Sequence, residues 1–391
     1  MDLDPTEPLR ISRFTTVTWE AGELVVRNLR SGRALVCDDA ALVQVLHWFR
    51  VPTSPAQVDA RGGARELGVD VIAACRTLAA AGILVRPEQE SRPPDVHGPL
   101  DPSSYWAAPE LALQQYSREC RPQTLARYRF EGLTRSEPHA KPPMSGTGSG
   151  NGSGNGSATA IALPVPEPAA IDFWQVLLRR RSFSPPSATI SLDQLGEFFH
   201  WTARSWDARE LDDGRVLQHR LYPSAGGLYA HEIYPVVSPG AVEGLAPDVY
   251  HYCPQRHALE PLGAEASLVA ELIERGASVS AAKGGAELPL IVLLVTSRIA
   301  RVAYKYDHIA YVSQLKDVGC LYAYFYLVAT ALGLAPCAYG GGFETELLAG
   351  LTGVDPLSEP IVGEFGLGGL DPAATPEPPW PILSAPRSGD G

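Results

Sequence analysis

The stretch KPPMSGTGSGNGSGNGSATA, residues 141–160, constrains the fold more than any other segment. Glycine, serine and asparagine bring too little apolar surface to offset the entropy of ordering them. The run is therefore a flexible coil by composition, whether natural or inserted, and it marks a domain boundary. No hydrophobic core passes through such a segment, so the 391 residues are read as separate domains on either side of it, which their number also favours. With 45% hydrophobic and 19% charged residues, the remainder has the composition of packed globular structure.

On the N-terminal side, RFTTVTW and GELVVRNL alternate as strands do, an RSGR turn follows, and ALVC is a third short strand. Residues 39–50 have helical periodicity behind Asp38 as N-cap. VDVIAACRTLAAAGILV is a second helix that stops at Gly82 and runs into a short strand. Strands, two helices and a closing strand predict a small winged-helix-like module over 1–95. It carries no basic cluster on either helix, so docking of a peptide or protein fits it better than DNA, and a purely structural role stays open. Residues 96–144 are a connector in which SSYWAAPELALQQYSREC is a helix. The linker occupies 145–160 and a disordered tail 372–391.

Between them, residues 161–371 mix helices and strands. DFWQVLLRRRSFS and SLDQLGEFFHWTAR are helices, the second capped by Ser191, and HEIYPVV is a strand. DVYHYCPQRHALEPL is strand, turn and strand; SLVAELIERG a helix; LPLIVLLVTS a buried strand. A long helix covers 312–333, a glycine loop opens a further helix, and EPIVGEFGLG is a last strand. The apolar run GCLYAYFYLVATALGLAPC is about long enough to span a bilayer. Its tyrosines and helix-ending Gly-Leu-Ala-Pro make it a core or subunit-interface helix instead.

The formal net charge of −12 argues against binding a nucleic-acid backbone, which needs a dense cationic face. Six scattered cysteines without a C-x-x-C pair, and an N-terminus without a basic-then-apolar leader, predict a reduced cytoplasmic protein. His251, Cys253 and His257 lack a fourth ligand in the sequence. Strand alternation and a turn explain them, and no metal is expected.

Three spots at element boundaries suit an anionic or flat ligand. Arg179-Arg180-Arg181-Ser182-Phe183-Ser184 gathers cations and hydroxyls at one helix end, either to hold a phosphate or simply as a solvated basic end. In Pro223-Ser224-Ala225-Gly226-Gly227, two residues without Cβ let a ligand come close to the backbone, although a plain turn reads the same way. Gly340-Gly341-Gly342 opens a helix, where N–H groups and the dipole favour an anion. A fourth stretch, VAYKYDHIAYVSQLKDVG, sets Lys305 among Tyr304, Tyr306 and Tyr311, either as a surface residue whose stem packs on the rings or as a proton handler in a pocket.

Taken together with VYHYCPQRHALEPL, FYLVATALGLAPCAYGGG and SEPIVGEFGLG, these stretches cover most of residues 174–369. They resemble the nitroreductase-like flavoprotein superfamily, and within it the SagB/ThcOx-type dehydrogenases, the FMN-dependent azoline oxidases of ribosomally made peptide natural products. The resemblance implies an α+β fold with a central, mainly antiparallel sheet wrapped by helices, in a homodimer with FMN at the interface. It implies FMN contacts from Arg180, Arg181, Ser182 and Ser184 to the phosphate and ribityl chain. Ser224, Gly226 and Gly227 are implied near the isoalloxazine, and Gly341 and Gly342 near the phosphate or ring. Lys305 and Tyr306 are implied as the catalytic pair, and the N-terminal module as a docking region.

Ser184 stands where the pattern has a basic residue, Gly319 to Tyr324 departs from the usual glycine–histidine run, and Gln114 stands near an expected histidine. The expected activity is oxidation of thiazoline or oxazoline rings to thiazoles or oxazoles. Hydride goes to FMN N5, the Cα proton to Lys305 or Tyr306, and oxygen completes the cycle. The expected partners are an azoline-bearing precursor peptide and a cyclodehydratase complex, with neither nucleic acid nor membrane. The rival readings are a flavin oxidoreductase acting on a carrier-bound or small molecule, and a flavin-poor scaffold of a cyclodehydratase complex.

Overall fold

A computed structural model describes residues 3–20, 22–29, 31, 33–37, 41–62, 68–89, 112–113, 159–183, 188–210, 216–281, 290–303, 305–306, 309–340 and 345–370. Nearly all of the expected connector and linker, and the whole of the expected tail, lie outside them. The chain divides into two units, Met1–Arg121 and Pro122–Gly391.

The N-terminal unit is built on β2 (Thr15–Glu20), β3 (Glu23–Asn28) and β4 (Ala34–Cys37), an antiparallel sheet in that order. Gly22, at φ 90°, supplies the left-handed residue between β2 and β3. Helices α1 (Ala41–Trp48), α2 (Pro55–Ala60) and α3 (Val71–Ala80) follow. Then β5 (Leu84–Val85) returns to pair with β1 (Arg10–Ile11).

α2 was not anticipated from the sequence. It is six residues long, too short for periodicity to register, and is fixed by its N-terminus. There Ser54 and Gln57 cap each other reciprocally and Pro55 occupies the first turn. α3 starts on the Asp70 carboxylate, which accepts from the Ile72 and Ala73 amides, and ends before Gly82 at φ 74°. Val26, Val45, Phe49, Val58, Leu78 and Ile83 belong to the main core of this unit, and Phe14 and Leu29 form a smaller cluster. Buried Asn28 ties the sheet to the end of α3 by donating to the Gly82 carbonyl at 2.6 Å and to Ser12 Oγ at 3.2 Å. Between β4 and α3 lies a groove of about 670 Å³ lined by Arg33, Leu35, Arg76, Thr77 and Ala80. β4 is the outer strand of its sheet.

The second unit is organised by a seven-stranded sheet in which every pairing is antiparallel, in the order β13-β14-β12-β9-β10-β11-β6. The strands are β6 (Ile161–Ala162), β9 (His231–Val237), β10 (Asp248–Cys253), β11 (Ala258–Pro261), β12 (Ile291–Ser297), β13 (Leu334–Tyr339) and β14 (Ile361–Gly369). β12 reads as a nearly unbroken apolar run because both faces are covered, while β9, β10 and β14 carry buried His231, Glu232, His251 and Glu364 among their apolar residues. Ile233, Ile291, Leu293, Val295 and Phe365 point to one side, against α5 (Leu192–Thr202) and α8 (Ala310–Ala331). Tyr234, Val236, Val292 and Leu294 point to the other, against α6 (Ala266–Ala281). A side chain at Gly363 would meet Tyr322 Oη, and its Cβ would lie 2.9 Å from Val318 Cγ1. The glycine therefore lets α8 approach β14 closely.

Two features differ from the sequence reading. The segment after the long helix is β13, an edge strand, not only a helix end. Pro336, which has no N–H to donate, is tolerated at an edge, and its carbonyl accepts from the Phe183 amide at 2.9 Å. A hairpin of β7 (Asp207–Glu210) and β8 (Val216–His219) lies where no element was expected. α4 (Phe173–Arg179), α7 (Ala300–Ala303) and α9 (Thr345–Thr352) complete the described helices. None of the described helices is long and apolar enough to cross a membrane.

Candidate active site

α8 joins the two parts of the site. Its buried stripe, Ala310, Gln314, Val318, Leu321, Phe325 and Ala329, is set by helical spacing and packs on the sheet. One polar residue on that stripe, Asp317, reaches the Pro-Ser-Ala-Gly-Gly loop. Its Oδ2 accepts from Ser224 Oγ at 2.7 Å and from the Ala225 amide at 2.8 Å. Burial raises the Asp317 carboxyl above its ordinary range, against the pull of these two hydrogen bonds. Having donated its proton to Asp317, Ser224 Oγ accepts the Tyr229 amide at 3.1 Å, so its bonding capacity is turned into the loop.

The loop brings two of the predicted spots together. Gly226, at φ 60°, lies directly beneath Lys305 and Tyr306. A Cβ built on it would be 2.6 Å from Tyr306 Oη and 2.8 Å from Lys305 Nζ. Lys305 Nζ stands 5.4 Å from the centre of the Tyr306 ring, and both side chains are half-buried. The pair follows α7, which is anchored by Arg301. That arginine is fully buried, and its Nε donates to the Leu228 carbonyl at 3.2 Å, with Nη2 on the same oxygen. Gly227, at φ 66°, has open space where a side chain would be. Tyr311 is largely exposed, while Tyr304, Asp307 and His308 lie outside the described residues.

The arginine cluster lies at the other end of α8. Ser182 Oγ is 2.9 Å from Tyr326 Oη, which accepts the Ala338 amide at 2.8 Å, and the Arg180 guanidinium stands 5.4 Å from the Tyr326 ring. Arg181 Nη1 donates to the Leu178 and Arg180 carbonyls, satisfying backbone at the end of α4. Asp317 and Tyr326 are nine residues apart. On an α-helix that is about 14 Å of rise and a half-turn offset, so the two spots sit on opposite flanks of α8. Ser184, Gly341 and Gly342 fall outside the described residues.

Beside the loop, the sheet buries charge. His251 lies between two carboxylates, with Nδ1 2.8 Å from Glu260 and Nε2 3.1 Å from Glu232, and Arg298 reaches Glu232 at 3.3 Å. Burial raises the Glu232 carboxyl, but the His251 hydrogen bond and the positive charges of His251, Arg220 and Arg298 outweigh it and hold the group at about 2. His231 is lowered to about 3 by burial and by Arg220. His257 is engaged by Tyr252 Oη at 2.9 Å and the Pro164 carbonyl at 3.0 Å, and Cys253 by Arg256. Among the described residues no group of three or more His, Cys, Asp or Glu could hold a metal ion.

The sequence reading missed Asp317 and Arg301. The signal for Asp317 was available, since with Gln314 it interrupts the apolar stripe of α8 at helical spacing. No comparable signal marks Arg301, whose partner is a backbone carbonyl on a distant loop.

Comparison with known proteins gives residues 180–369 as a match to the nitroreductase family. A protein of Methanocaldococcus jannaschii described as a nitroreductase is 29% identical over 133 residues, which are 33% of this chain and 61% of that relative. The crystal structure of a nitroreductase from Anabaena variabilis overlaps with TM-score 0.46 and 21% identity, over 65% of this chain and 45% of that one. The Escherichia coli microcin synthetase McbBCD complex, solved with truncated pro-MccB17 bound, overlaps with TM-score 0.39 and 20% identity, over 53% of this chain and 76% of that one.

Proposed function

We propose that the nitroreductase-type domain of residues 180–369 is an FMN-dependent dehydrogenase. It oxidises thiazoline or oxazoline rings in a ribosomally made peptide to thiazoles or oxazoles. The observation that carries this reading is the convergence at Gly226, where the Lys305 amino group and the Tyr306 phenol close over a glycine whose Cβ would strike both. A flat ring system needs a backbone surface without side chains, and a proton to be removed needs a base held at a fixed place above it.

The residues fit FMN. Arg180, with Ser182, offers the cation and hydroxyl that a phosphate takes, and Gly227, with open space where a side chain would be, offers a bare backbone face. Bound FMN would supply the hydride acceptor, N5. Lys305 and Tyr306 would take the proton from the ring carbon that was the peptide Cα. Lys305 can receive it at Nζ, and Tyr306 can orient the ring or share the proton through its hydroxyl. The loss of one hydride and one proton balances the conversion of azoline to azole.

A homodimer suits the same reading. The arginine cluster and the glycine loop lie on opposite flanks of α8, so one copy can contribute the phosphate end and its partner the ring end of a shared site. α4 exposes Phe173, Trp174, Leu177 and Leu178, and α8 exposes Tyr311 and Leu315, the kind of apolar surface that a second copy covers. In the N-terminal unit, the outer strand β4 and its groove, with Arg33 and Arg76, support docking of an extended segment of the precursor peptide or of a cyclodehydratase partner.

The test is reductive. Protein purified with FMN is mixed anaerobically with an azoline-bearing peptide, and the flavin absorbance is followed. Bleaching by the peptide is expected. Bleaching by NAD(P)H with turnover of a quinone, and none by the peptide, would overturn the assignment, as would protein that takes up no FMN.

A further inference from the structure

The loop from Ser224 to Tyr229 holds three left-handed residues, Gly226 at φ 60°, Gly227 at φ 66° and Tyr229 at φ 45°. For tyrosine that conformation is strained, so it persists only where the surroundings over-determine it. Buried charge fixes the loop at both ends. At the start, one Asp317 oxygen accepts from Ser224 Oγ and the Ala225 amide, and Ser224 Oγ in turn accepts from the Tyr229 amide. At the end, Arg301 donates to the Leu228 carbonyl. A carboxylate on an apolar helix stripe is expensive, and an apolar residue would fill that space at lower cost. The aspartate therefore needs a reason beyond packing.

We propose that Asp317 is a positioning residue. It sets the 224–229 loop at the height at which Gly226 meets Lys305 Nζ and Tyr306 Oη, and so fixes where the two side-chain tips stand beside the open backbone face at Gly227. This rests on the dehydrogenase reading for its consequence in turnover, but the loop geometry is measurable without it. Asp317 and Arg301 flank the catalytic pair in the chain. Arg301 lies four residues before Lys305, and Asp317 sits two turns into the helix that follows. The segment that carries the base thus also grips the surface opposite it, and removing the carboxylate uncouples the two.

The experiment is hydrogen–deuterium exchange on the full chain, comparing wild type with Asp317→Ala, Asp317→Asn and Ser224→Ala, alongside the visible circular dichroism of bound FMN. In Asp317→Ala the amides of Ala225 and Tyr229 are expected to exchange roughly 10- to 100-fold faster, while β9 and β12 keep their protection. The flavin dichroism is expected to change, and kcat to fall at least about tenfold with KM little altered. Asp317→Asn, which can keep an acceptor oxygen in place, restores most of the protection and the dichroism. Ser224→Ala exposes Tyr229 more than Ala225.

Unchanged exchange at both amides in Asp317→Ala would overturn the proposal. So would equal loss of protection across β9 and β12 in both Asp317→Asn and Ser224→Ala, because the aspartate would then be a general stabilising group. If the wild type binds no FMN, the dehydrogenase reading fails on its own, and the exchange data still decide whether Asp317 holds the loop.

Discussion

Replacing Gly226 by alanine perturbs the site at its narrowest point, and the structure supplies an internal control. The added Cβ would lie 2.6 Å from Tyr306 Oη and 2.8 Å from Lys305 Nζ, where an ordinary contact is about 3.5 Å. The two tips must therefore retreat by roughly 0.7–0.9 Å. Lysine can swing away at little cost, but the phenol is carried on a rigid ring. Gly226→Ala also places a side chain at φ 60°, worth about 1–2 kcal/mol. Gly227→Ala has the same backbone penalty at φ 66°, yet its Cβ meets nothing within 4 Å.

Both variants should therefore lose a few degrees of Tm, at about 2–4 °C per kcal/mol for a unit of this size. Only Gly226→Ala should lose turnover, because a displacement near 1 Å of a reacting group costs on the order of 100-fold. The assay is single-turnover flavin reduction by an azoline peptide in FMN-loaded protein, with thermal melts in parallel. Rates in Gly226→Ala within about threefold of those in Gly227→Ala would show that the contact with Lys305 and Tyr306 plays no part in the chemistry.

Other perturbations probe different parts of the molecule. Arg180→Ala should weaken FMN binding about 10- to 100-fold, more at low salt than at high, measured by fluorescence titration. Trp174→Glu, on the exposed face of α4, should shift the protein toward monomer in sedimentation and lower FMN retention with it. His200 is lowered to about 4 by burial, Arg204 and His257, and His231 to about 3 by burial and Arg220. The folded state thus resists protons that the unfolded chain binds below about 6.5, and stability should fall as pH drops from 6.5 toward 4. Glu232, held at about 2, adds loss below about 4.5; a urea midpoint that stays flat between pH 7 and 4 would contradict the histidine effect, and one flat between about pH 4.5 and 2 the Glu232 effect.

The sheet was legible because its strands announce themselves. HEIYPVV and IVLLVTS are too short for helices and rich in β-branched residues, and IVLLVTS is apolar on both faces, as a strand covered twice can be. The caps Ser191 and Gly82 were readable because capping is local chemistry. The strand at Leu334–Tyr339 was harder, since it runs on from an apolar helix and contains a proline, which an edge strand tolerates. Within the site, Lys305, Tyr306 and Gly226 could be named from their motifs, but their meeting is a fact of the fold. Asp317 went unread as a functional group because the loop it holds is 93 residues away in the chain.

The most direct test of the central claim is mass spectrometry of an azoline peptide incubated aerobically with FMN-loaded wild type and with FMN-loaded Lys305→Ala. Wild type is expected to remove two hydrogens from each azoline, while Lys305→Ala keeps its FMN and leaves the peptide mass unchanged. Full conversion by Lys305→Ala, or an unchanged peptide after incubation with flavin-replete wild type, would contradict the assignment of Lys305 as the base.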